Sequence, residues 1–434
     1  MKTIPSLSSL RALAGGEITI EGAVHRIRAM GSFAFLLLRT SHDVFQCVWS
    51  PEWCDQDISS LTPECGVRAV GRVVEDARSR AGAEIRITGW TELSRPAEAL
   101  PVDIRGATLG VSLETLLDMR PLTLRHPGQR AVFRVVHALA AGFRGFLDGQ
   151  GFTEIHTPKI VSEGAEGGAG LFRLGYFGRT ACLAQSPQFY KQIAAAAFGR
   201  VYEVGPVFRA EPHDSARHLN EFTGLDLEMA WLTGEEGLDE LIDCEIEVLE
   251  SMLAHLRAAC PEECASLGLD LPERLGAVRT TFAEAKAIAA RTVSGAGPDD
   301  LNPAEERAIG RHFKEERGTD WVFVTRYPSA ARPFYAMDDP EDPALTLSYD
   351  LLYRGAEITT GGLRIHDYAM QVEKLKSRGL DPADFSSWLM LHRYGAPPHG
   401  GFGLGLERLT MQLCGLDNIR RASLFPRDTV RLTP

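Results

Sequence analysis

The stretch Gly401-Phe402-Gly403-Leu404-Gly405-Leu406-Glu407-Arg408-Leu409 sets three alternating glycines ahead of Glu-Arg and an apolar run. Glycine lets backbone come close to another group with no Cβ in the way. The helix expected next turns its first N–H groups outward, which suits an anion. Arg408 adds a permanent planar cation matched to phosphate. Alone, such a run fits a structural turn as well. Two further arginines offer the same chemistry, Arg209 in Val207-Phe208-Arg209-Ala210-Glu211 and Arg217 in Arg217-His218-Leu219-Asn220-Glu221-Phe222. In-line attack at phosphorus needs alignment and charge neutralisation more than covalent help from protein. Asp350 and Glu357 stand seven apart in Tyr349-Asp350-Leu351-Leu352-Tyr353-Arg354-Gly355-Ala356-Glu357, ahead of Ile358-Thr359-Thr360-Gly361-Gly362. Adjoining strands across a turn at Arg354-Gly355 would bring the two acids together. Carboxylates beside glycines suit Mg2+ shared with phosphates; the plain alternative is two solvated surface acids.

The elements that must position these groups change character along the chain. Residues 17–100 are β-rich: 17–24 alternate, and 33–39, 45–49, 67–74 and 84–88 follow across short polar turns. That spacing predicts a small barrel, and five strands with exposed aromatics fit oligonucleotide binding. His25, Arg26, Arg28, Arg39, Arg78 and Arg80 gather near its turns; a solvated face on a structural barrel is the alternative. Pro96 to Pro101 reads as a linker. Residues 113–120 and 129–149 read as helices, the second with Ala131, Val132, Phe133, Val135, Val136, Ala138, Leu139, Phe143, Phe146 and Leu147 at helical period, ended by Gly151. Beyond Gly151, strands and helices mix, which predicts one large α+β domain with an open site of loops on a sheet. Residues 235–315 read as a helical, acidic appendage.

A chain of 434 residues has room for two or three cores. The absence of an apolar run of about twenty residues predicts no membrane span. The opening Met1-Lys2-Thr3-Ile4-Pro5 has no apolar signal core, so a cytoplasmic protein is expected. Eight scattered cysteines, with Cys260 and Cys264 the one close pair, read as free thiols. The net charge of −12 argues against loose, charge-driven nucleic-acid binding, although a local basic face can sit on an acidic protein.

Taken with Gly151-Phe152-Thr153-Glu154-Ile155-His156-Thr157-Pro158-Lys159-Ile160, the two arginine stretches resemble motifs 1, 2 and 3 of class II aminoacyl-tRNA synthetases. They are most similar to the aspartyl members of archaeal type, over nearly the whole chain. The resemblance implies an α+β protein with a five-stranded OB-fold barrel over 1–100 that binds the anticodon and a hinge over 101–124. A class II catalytic domain over 125–434 would follow, an antiparallel sheet flanked by helices, with 235–315 between motifs 2 and 3. It implies a homodimer through the segment around Pro158, for which an edge-strand proline is the alternative.

The resemblance also assigns residues. Arg209 would hold the α-phosphate of ATP and Arg408 the γ-phosphate. Arg217, His218 and Leu219 would contact the nucleotide, Glu211 would read its adenine end, and Gly405, Leu406 and Glu407 would complete motif 3. Glu357 and Thr360 would bind Mg2+ with ATP, with Asp350 beside them; Thr360 replaces the usual serine and keeps the hydroxyl. In Gln185-Ser186-Pro187-Gln188-Phe189-Tyr190-Lys191-Gln192, Lys191 would pair with the side-chain carboxylate of L-aspartate. Arg364 would grip it with two bonds. Glu166 and Asp226 would take the α-ammonium with Gln188, and Arg209 and Thr360 would also face the amino acid. Two cations suit an acid, whereas asparagine would leave them unpaired. In the barrel, Phe35 would stack the central uridine and Gln46 hydrogen-bond it, with Arg28 nearby. Strict relatives carry tryptophan where this chain has His25, and lysine where it has Arg80. His25 favours charging of both tRNA(Asp) and tRNA(Asn), whereas Arg80 keeps the strict charge; the shape lost with tryptophan is given more weight. A dual enzyme would need a separate amidotransferase for the Asp-tRNA(Asn) it makes. An asparaginyl enzyme, a non-catalytic RNA-binding relative and an amide synthetase without tRNA are the alternatives.

Overall fold

Alternating apolar residues build the first part of the chain. In the computed structural model, which describes residues 7, 9–79, 81–162, 164, 170–212, 214–294 and 297–433, β1 (Glu17–Ala29), β2 (Ala34–Arg39), β3 (Val44–Trp49), β4 (Gly66–Glu75) and β5 (Ala83–Ser94) close into a barrel. Its order is β1-β2-β3-β5-β4. Leu36, Leu38, Phe45, Cys47, Ile85 and Ile87 fill the interior, the inward half of a period of two. Helices α1 (Leu113–Asp118) and α2 (Arg120–Thr123) follow, the first capped by the Ser112 hydroxyl. The chain divides into two compact units, Met1–Gln129 and Arg130–Pro434. Residues 101–124, expected as a hinge, fall inside the first, with Val102, Ile104, Leu116 and Leu117 buried.

The second unit opens with α3 (Pro127–Gly149), whose first turn holds the division, and Gly151 follows in the left-handed region at φ +75°. Then come β6 (Thr153–Glu154), β7 (Ile160–Val161), β8 (Arg173–Tyr176), β9 (Arg179–Leu183), α4 (Gln188–Phe198), β10 (Arg200–Phe208) and β11 (Glu221–Ala230). Next are α5 (Gly234–Ala259), α6 (Pro261–Leu267), β12 (Val278–Thr281), α7 (Phe282–Ala289), α8 (Pro303–Arg317) and β13 (Trp321–Thr325). Last are β14 (Ser348–Tyr353), β15 (Ala356–Arg364), α9 (Tyr368–Ser377), α10 (Ser386–Gly395), β16 (His399–Gly405) and α11 (Leu406–Leu413). Eight strands form one sheet in the order β12-β13-β14-β15-β16-β11-β10-β6. The expected antiparallel pattern holds for the inner strands, but both edges, β12 on β13 and β6 on β10, pair parallel. A small sheet, β7-β9-β8, stands apart. Among the described residues no helix is long and apolar enough to cross a membrane.

Residues 235–315 are mostly helical but do not form an appendage. Strand β12 extends the main sheet, and α5 places Leu238, Leu241, Ile242, Val248, Leu249, Met252 and Leu253 in its core. Helix α3 crosses α5 closely at Gly142, where a Cβ would lie 2.9 Å from Met252 Cα. The reason is period: the acids of α5 occupy its outer face, so composition hid an apolar stripe. One acid faces inward. Glu245 is fully buried and accepts a 2.6 Å hydrogen bond from the Tyr349 hydroxyl. Burial pushes its carboxyl up to about 7, against the lowering effect of that bond.

A carboxyl raised in the fold stabilises it below the ordinary glutamate range and loses that contribution as pH climbs through the raised value. Between pH 5 and 8 the protein should therefore lose on the order of 2–3 kcal/mol that Glu245→Gln does not lose. Urea midpoints of both proteins at the two pH values check this, and parallel losses would mean that Glu245 ionises freely.

Candidate active site

Hairpin β10–β11 carries the arginine stretch. Its strands pair from Arg200↔Met229 to Phe208↔Glu221. Asn220 ties the loop by donating from Nδ2 to the carbonyls of Arg209 (2.7 Å) and Glu211 (3.1 Å). The Arg209 guanidinium lies over the Phe222 ring, centroid 5.7 Å away, and its buried Nε has no partner among the described residues. A buried unpaired donor is costly, so this group is built for an acceptor from outside. Arg217 donates to Glu306 of α8 at 2.7 Å, and Glu306 also accepts from the Glu357 backbone N–H at 3.1 Å. The His218 ring is 2.6 Å from the Ser215 hydroxyl and 3.9 Å from Glu211.

The two acids of β14 and β15 meet as expected across a two-residue turn, Arg354 (φ 51°) and Gly355 (φ 70°). Such positive values at both positions match the twist of a hairpin. A bulge follows: Leu351 pairs with Thr359 but Leu352 with Glu357, leaving Ile358 extra. In a regular strand, residues three apart face opposite ways; one extra residue reverses that. Glu357 and Thr360 thus share a face, with the Thr360 hydroxyl donating to Glu357 at 3.3 Å. Arg408 donates to both the Glu357 carbonyl (3.1 Å) and its carboxylate (3.3 Å). Burial alone would raise Glu357, but Arg408, Arg332, Arg209 and Arg217 outweigh it and hold the carboxyl low. Asp350 pairs with Thr360 in the ladder but its carboxylate goes to Arg332 at 2.9 Å. It does not line the cavity, although the Glu357 charge and the Thr360 hydroxyl both act on its carboxyl. Burial pushes Asp350 up to about 6, with Arg332 opposing.

The third part is a buried charge cluster. On β11, Leu225, Leu227 and Met229 enter the core behind the sheet, so Asp226 and Glu228 face the front. On α4, Gln188, Lys191, Gln192 and Ala195 are the buried face. Lys191 Nζ donates to Asp226 and to the Phe402 carbonyl, both at 3.0 Å, and lies 3.5 Å from Glu228. Arg364 donates to Glu228 from Nε (3.0 Å) and Nη2 (3.4 Å), and to the Gly401 carbonyl at 2.8 Å. Burial raises Asp226 despite Lys191; for Glu228, Arg364 and Lys191 overcome burial and lower it. Gln188 Nε2 is buried with no partner among the described residues.

The glycines answer to this cluster. Residues 399–405 are the strand β16, not a turn, with Asp226 opposite Gly403 and Glu228 opposite Gly401. A Cβ on Gly401 would sit 2.2 Å from a Glu228 carboxylate oxygen, and one on Gly403 3.0 Å from Asp226. The expected helix begins at Leu406 with Gly405 as its cap.

These three parts line one cavity of about 330 Å³. Gln188, Lys191, Arg209, Glu211, Arg217, His218, Leu219, Asp226, Glu357, Thr360, Arg364, Gly405, Glu407 and Arg408 all reach it. Leu406 does not and is buried. The Glu407 carboxylate turns onto the Thr223 N–H, at 3.0 and 3.1 Å. Glu166 and Arg80 lie outside the described residues. Glu228, Glu306 and Arg332 were not expected in the site. For Glu228 the alternation Leu-Asp-Leu-Glu held the signal; for the other two nothing local did.

On the barrel, opposed pairs put Arg28, Phe35 and Val48 on one outer face, and Arg26, Leu37 and Gln46 beside them. Phe35 is half-buried, edge-on to Phe33 at 5.4 Å, and Arg28 is exposed. His25 differs from expectation: it is 7% exposed, its Nδ1 3.3 Å from Arg39. Arg39 makes a bidentate pair with Glu64, both bonds 2.7 Å, and Glu64 also takes Arg125 at 2.8 Å. Burial and then Arg39 lower His25. Arg78 is paired with Asp76 at 2.8 Å.

A barrel with a basic, aromatic outer face precedes a sheet that gathers phosphate-type arginines, hard oxygen donors and a charge cluster. Comparison with known proteins agrees. Residues 112–429 match the family described as tRNA synthetases class II (D, K and N), and residues 18–93 match the OB-fold nucleic acid binding domain. The chain belongs to the class II tRNA synthetases. It is 45% identical to the aspartate–tRNA(Asp/Asn) ligase of Thermus thermophilus, over 98% of each chain, and 42% identical to that of Deinococcus radiodurans, over 97% of this chain and 96% of the relative. The asparaginyl-tRNA synthetase of Pyrococcus horikoshii, solved with asparaginyl-adenylate, superposes with a TM-score of 0.92 at 32% identity, over 100% of both chains.

Because the glycines of β16 make room for carboxylates, Gly401→Ala should cost about 2–4 kcal/mol of stability through overpacking against charge and backbone. Gly405→Ala, whose Cβ would meet the Arg408 side chain at 3.6 Å and beyond, should cost less than about 1 kcal/mol. Chemical denaturation of the two variants compares them, and equal costs would refute this account of the strand.

Proposed function

We propose that this protein is an aspartate–tRNA ligase that activates L-aspartate with ATP and transfers it to the 3′ end of tRNA. The observation that carries the reading is Lys191 and Arg364 buried together beside Asp226, in the same cavity as Arg209 with its unpartnered donor. The entering amino acid exchanges partners with the cluster. Its ammonium takes Asp226, with Gln188 and, by resemblance, Glu166 beside it, and its side-chain carboxylate takes Lys191 and Arg364. Every buried charge then keeps a partner. Asparagine would free Asp226 from Lys191 without supplying the carboxylate that replaces it. This favours aspartate over the asparaginyl alternative. The α-carboxylate then attacks the α-phosphate of ATP, releasing pyrophosphate and leaving aspartyl-adenylate; a terminal ribose hydroxyl of tRNA takes the aspartyl group and AMP leaves. Arg209 neutralises the α-phosphate and Arg408 the γ-phosphate, both held before the substrate arrives. No protein nucleophile takes part.

Glu357 and Thr360 fit Mg2+: two hard oxygens in contact on the cavity face, one kept ionised by the surrounding arginines. When bound, the ion would neutralise phosphate charge and orient the β- and γ-phosphates. Asp350, paired with Arg332 and within reach of the Thr360 hydroxyl, stands beside that set. A cytoplasmic homodimer through the Pro158 segment belongs to the same reading; Ile160 beside it is an exposed apolar residue, at 49%. Lys191→Leu should reduce aspartate-dependent pyrophosphate exchange by roughly 2–5 kcal/mol, the cost of breaking a buried pair, with ATP binding nearly unchanged. Normal exchange in that variant would overturn the substrate assignment.

The barrel's face of Arg28, Phe35 and Gln46 supports anticodon binding by stacking and edge hydrogen bonds. We infer charging of both tRNA(Asp) and tRNA(Asn), with amidation of the second product by a separate amidotransferase. His25 supports this only by leaving out the tryptophan shape, because its own ring is turned onto Arg39. Phe35→Ala should weaken charging by about 1–3 kcal/mol, the worth of one stacked base, and leave tRNA-free adenylation intact. On matched transcripts the unaltered protein should favour tRNA(Asp) by less than about a hundredfold, or 2.7 kcal/mol; a larger preference contradicts dual charging.

A further inference from the structure

Arg408 contacts the Glu357 carboxylate at 3.3 Å, and Arg332, Arg209 and Arg217 line the same cavity. Three have the phosphate chemistry already described. Arg332 has none. It follows a short 3-10 turn, Ser329–Ala331, and enters the cavity wall from a segment that no glycine-rich or charged motif marks. Its side chain is only 9% exposed. Two neighbours fix its plane. The guanidinium lies 3.7 Å from the centre of the Tyr327 ring, itself buried, and Nη2 lies 2.9 Å from Asp350 Oδ1. Nη2 is taken up by Asp350, while the buried Nε has no hydrogen-bond partner among the described residues. A cation with a stacked face, a compensating acid on one side and Nε unspent is preorganised for a further oxyanion.

Its place along the sheet says which oxyanion. Asp350 pairs with Thr360 in the ladder, so Arg332 stands at the level of Thr360 on β15, between Glu357 and Arg364. On the other side, Ala336 bridges to Arg364, and Tyr335 lies under the Arg364 guanidinium at 5.3 Å. Arg332 therefore sits between the phosphate end of the cavity and the amino-acid end. We propose that Arg332 binds the oxyanion formed where the amino-acid carboxylate joins the α-phosphate, as a further residue for adenylate formation. The proposal rests on the ligase reading. In the step, the carboxylate oxygen forms the new bond to phosphorus and the bond to the pyrophosphate oxygen breaks, with the electron pair leaving on pyrophosphate. Arg332 holds the non-bridging oxygen through the change and exchanges no proton.

Calorimetry with aspartate, with ATP and with aspartol adenylate, which keeps the phosphate but cannot react, tests this on Arg332→Gln and Arg332→Lys. Arg332→Gln should bind aspartol adenylate about 100-fold more weakly and lose pyrophosphate exchange mainly in kcat, with aspartate affinity within about threefold. Arg332→Lys should recover about tenfold of the loss, since charge returns without the planar fork. Equal weakening of aspartate and of the adenylate mimic, or mimic affinity within about threefold of the unaltered protein, would overturn the proposal. If Arg332→Gln fails to fold, the double variant Arg332→Gln/Asp350→Asn, which leaves no unpaired buried charge, carries the same comparison. Absence of aspartate-dependent exchange in the unaltered protein would instead overturn the ligase reading.

Discussion

The constraint on which the rest depends is the burial of four charges, Lys191, Asp226, Glu228 and Arg364, in front of the central sheet. Each costs several kcal/mol to take out of water, and their mutual attraction repays this only with complete pairing. Completion comes from β16. Its backbone carbonyls at Gly401 and Phe402 accept from the two cations, and its missing side chains leave room for the two acids. The cluster does not hold the fold together by itself. That is done behind the sheet, where α3 and α5 bury a continuous apolar face, each large side chain contributing about 1.5–3 kcal/mol. The apolar back face is what allows a charged front face to be kept.

The front face is assembled from segments far apart in the chain. The bulge at Ile358 turns Glu357 toward Thr360, and Glu306 at the start of α8 steadies both Glu357 and Arg217. Helix α8 thus belongs to the site as much as the arginine stretches do. The same economy appears at Asp350, which is spent on Arg332. A second free carboxylate so close to Glu357 would have competed with it for protons and for cations.

In the barrel the division of labour is reversed. The outer face of Arg28, Phe35 and Gln46 follows from strand register alone, while His25 is drawn inside to the Arg39–Glu64–Arg125 network. A residue expected to meet a base by its type is instead held by its neighbours.

Sequence alone determined what local periodicity and composition can report. The barrel strands, the stripe of α3, the helix after Gly405 and the phosphate-type arginines were all legible, because each depends on spacing within a dozen residues. That motif residues far apart in the chain line one cavity is a fact of the fold. Tertiary structure decided the rest. Whether an acid stands alone or in a pair depends on what the fold packs against it, as the chain after the short turn Ser329–Ala331 brings Arg332 to Asp350. Lys191 meets the Phe402 carbonyl across 211 residues. One extra residue in a strand reverses which side chains share a face. The apolar stripe of α5 was masked by acids on its outer side, and burial of His25 was set by an arginine fourteen residues away. Distance in space between such partners is fixed by strand pairing and packing, and no spacing along the chain encodes it.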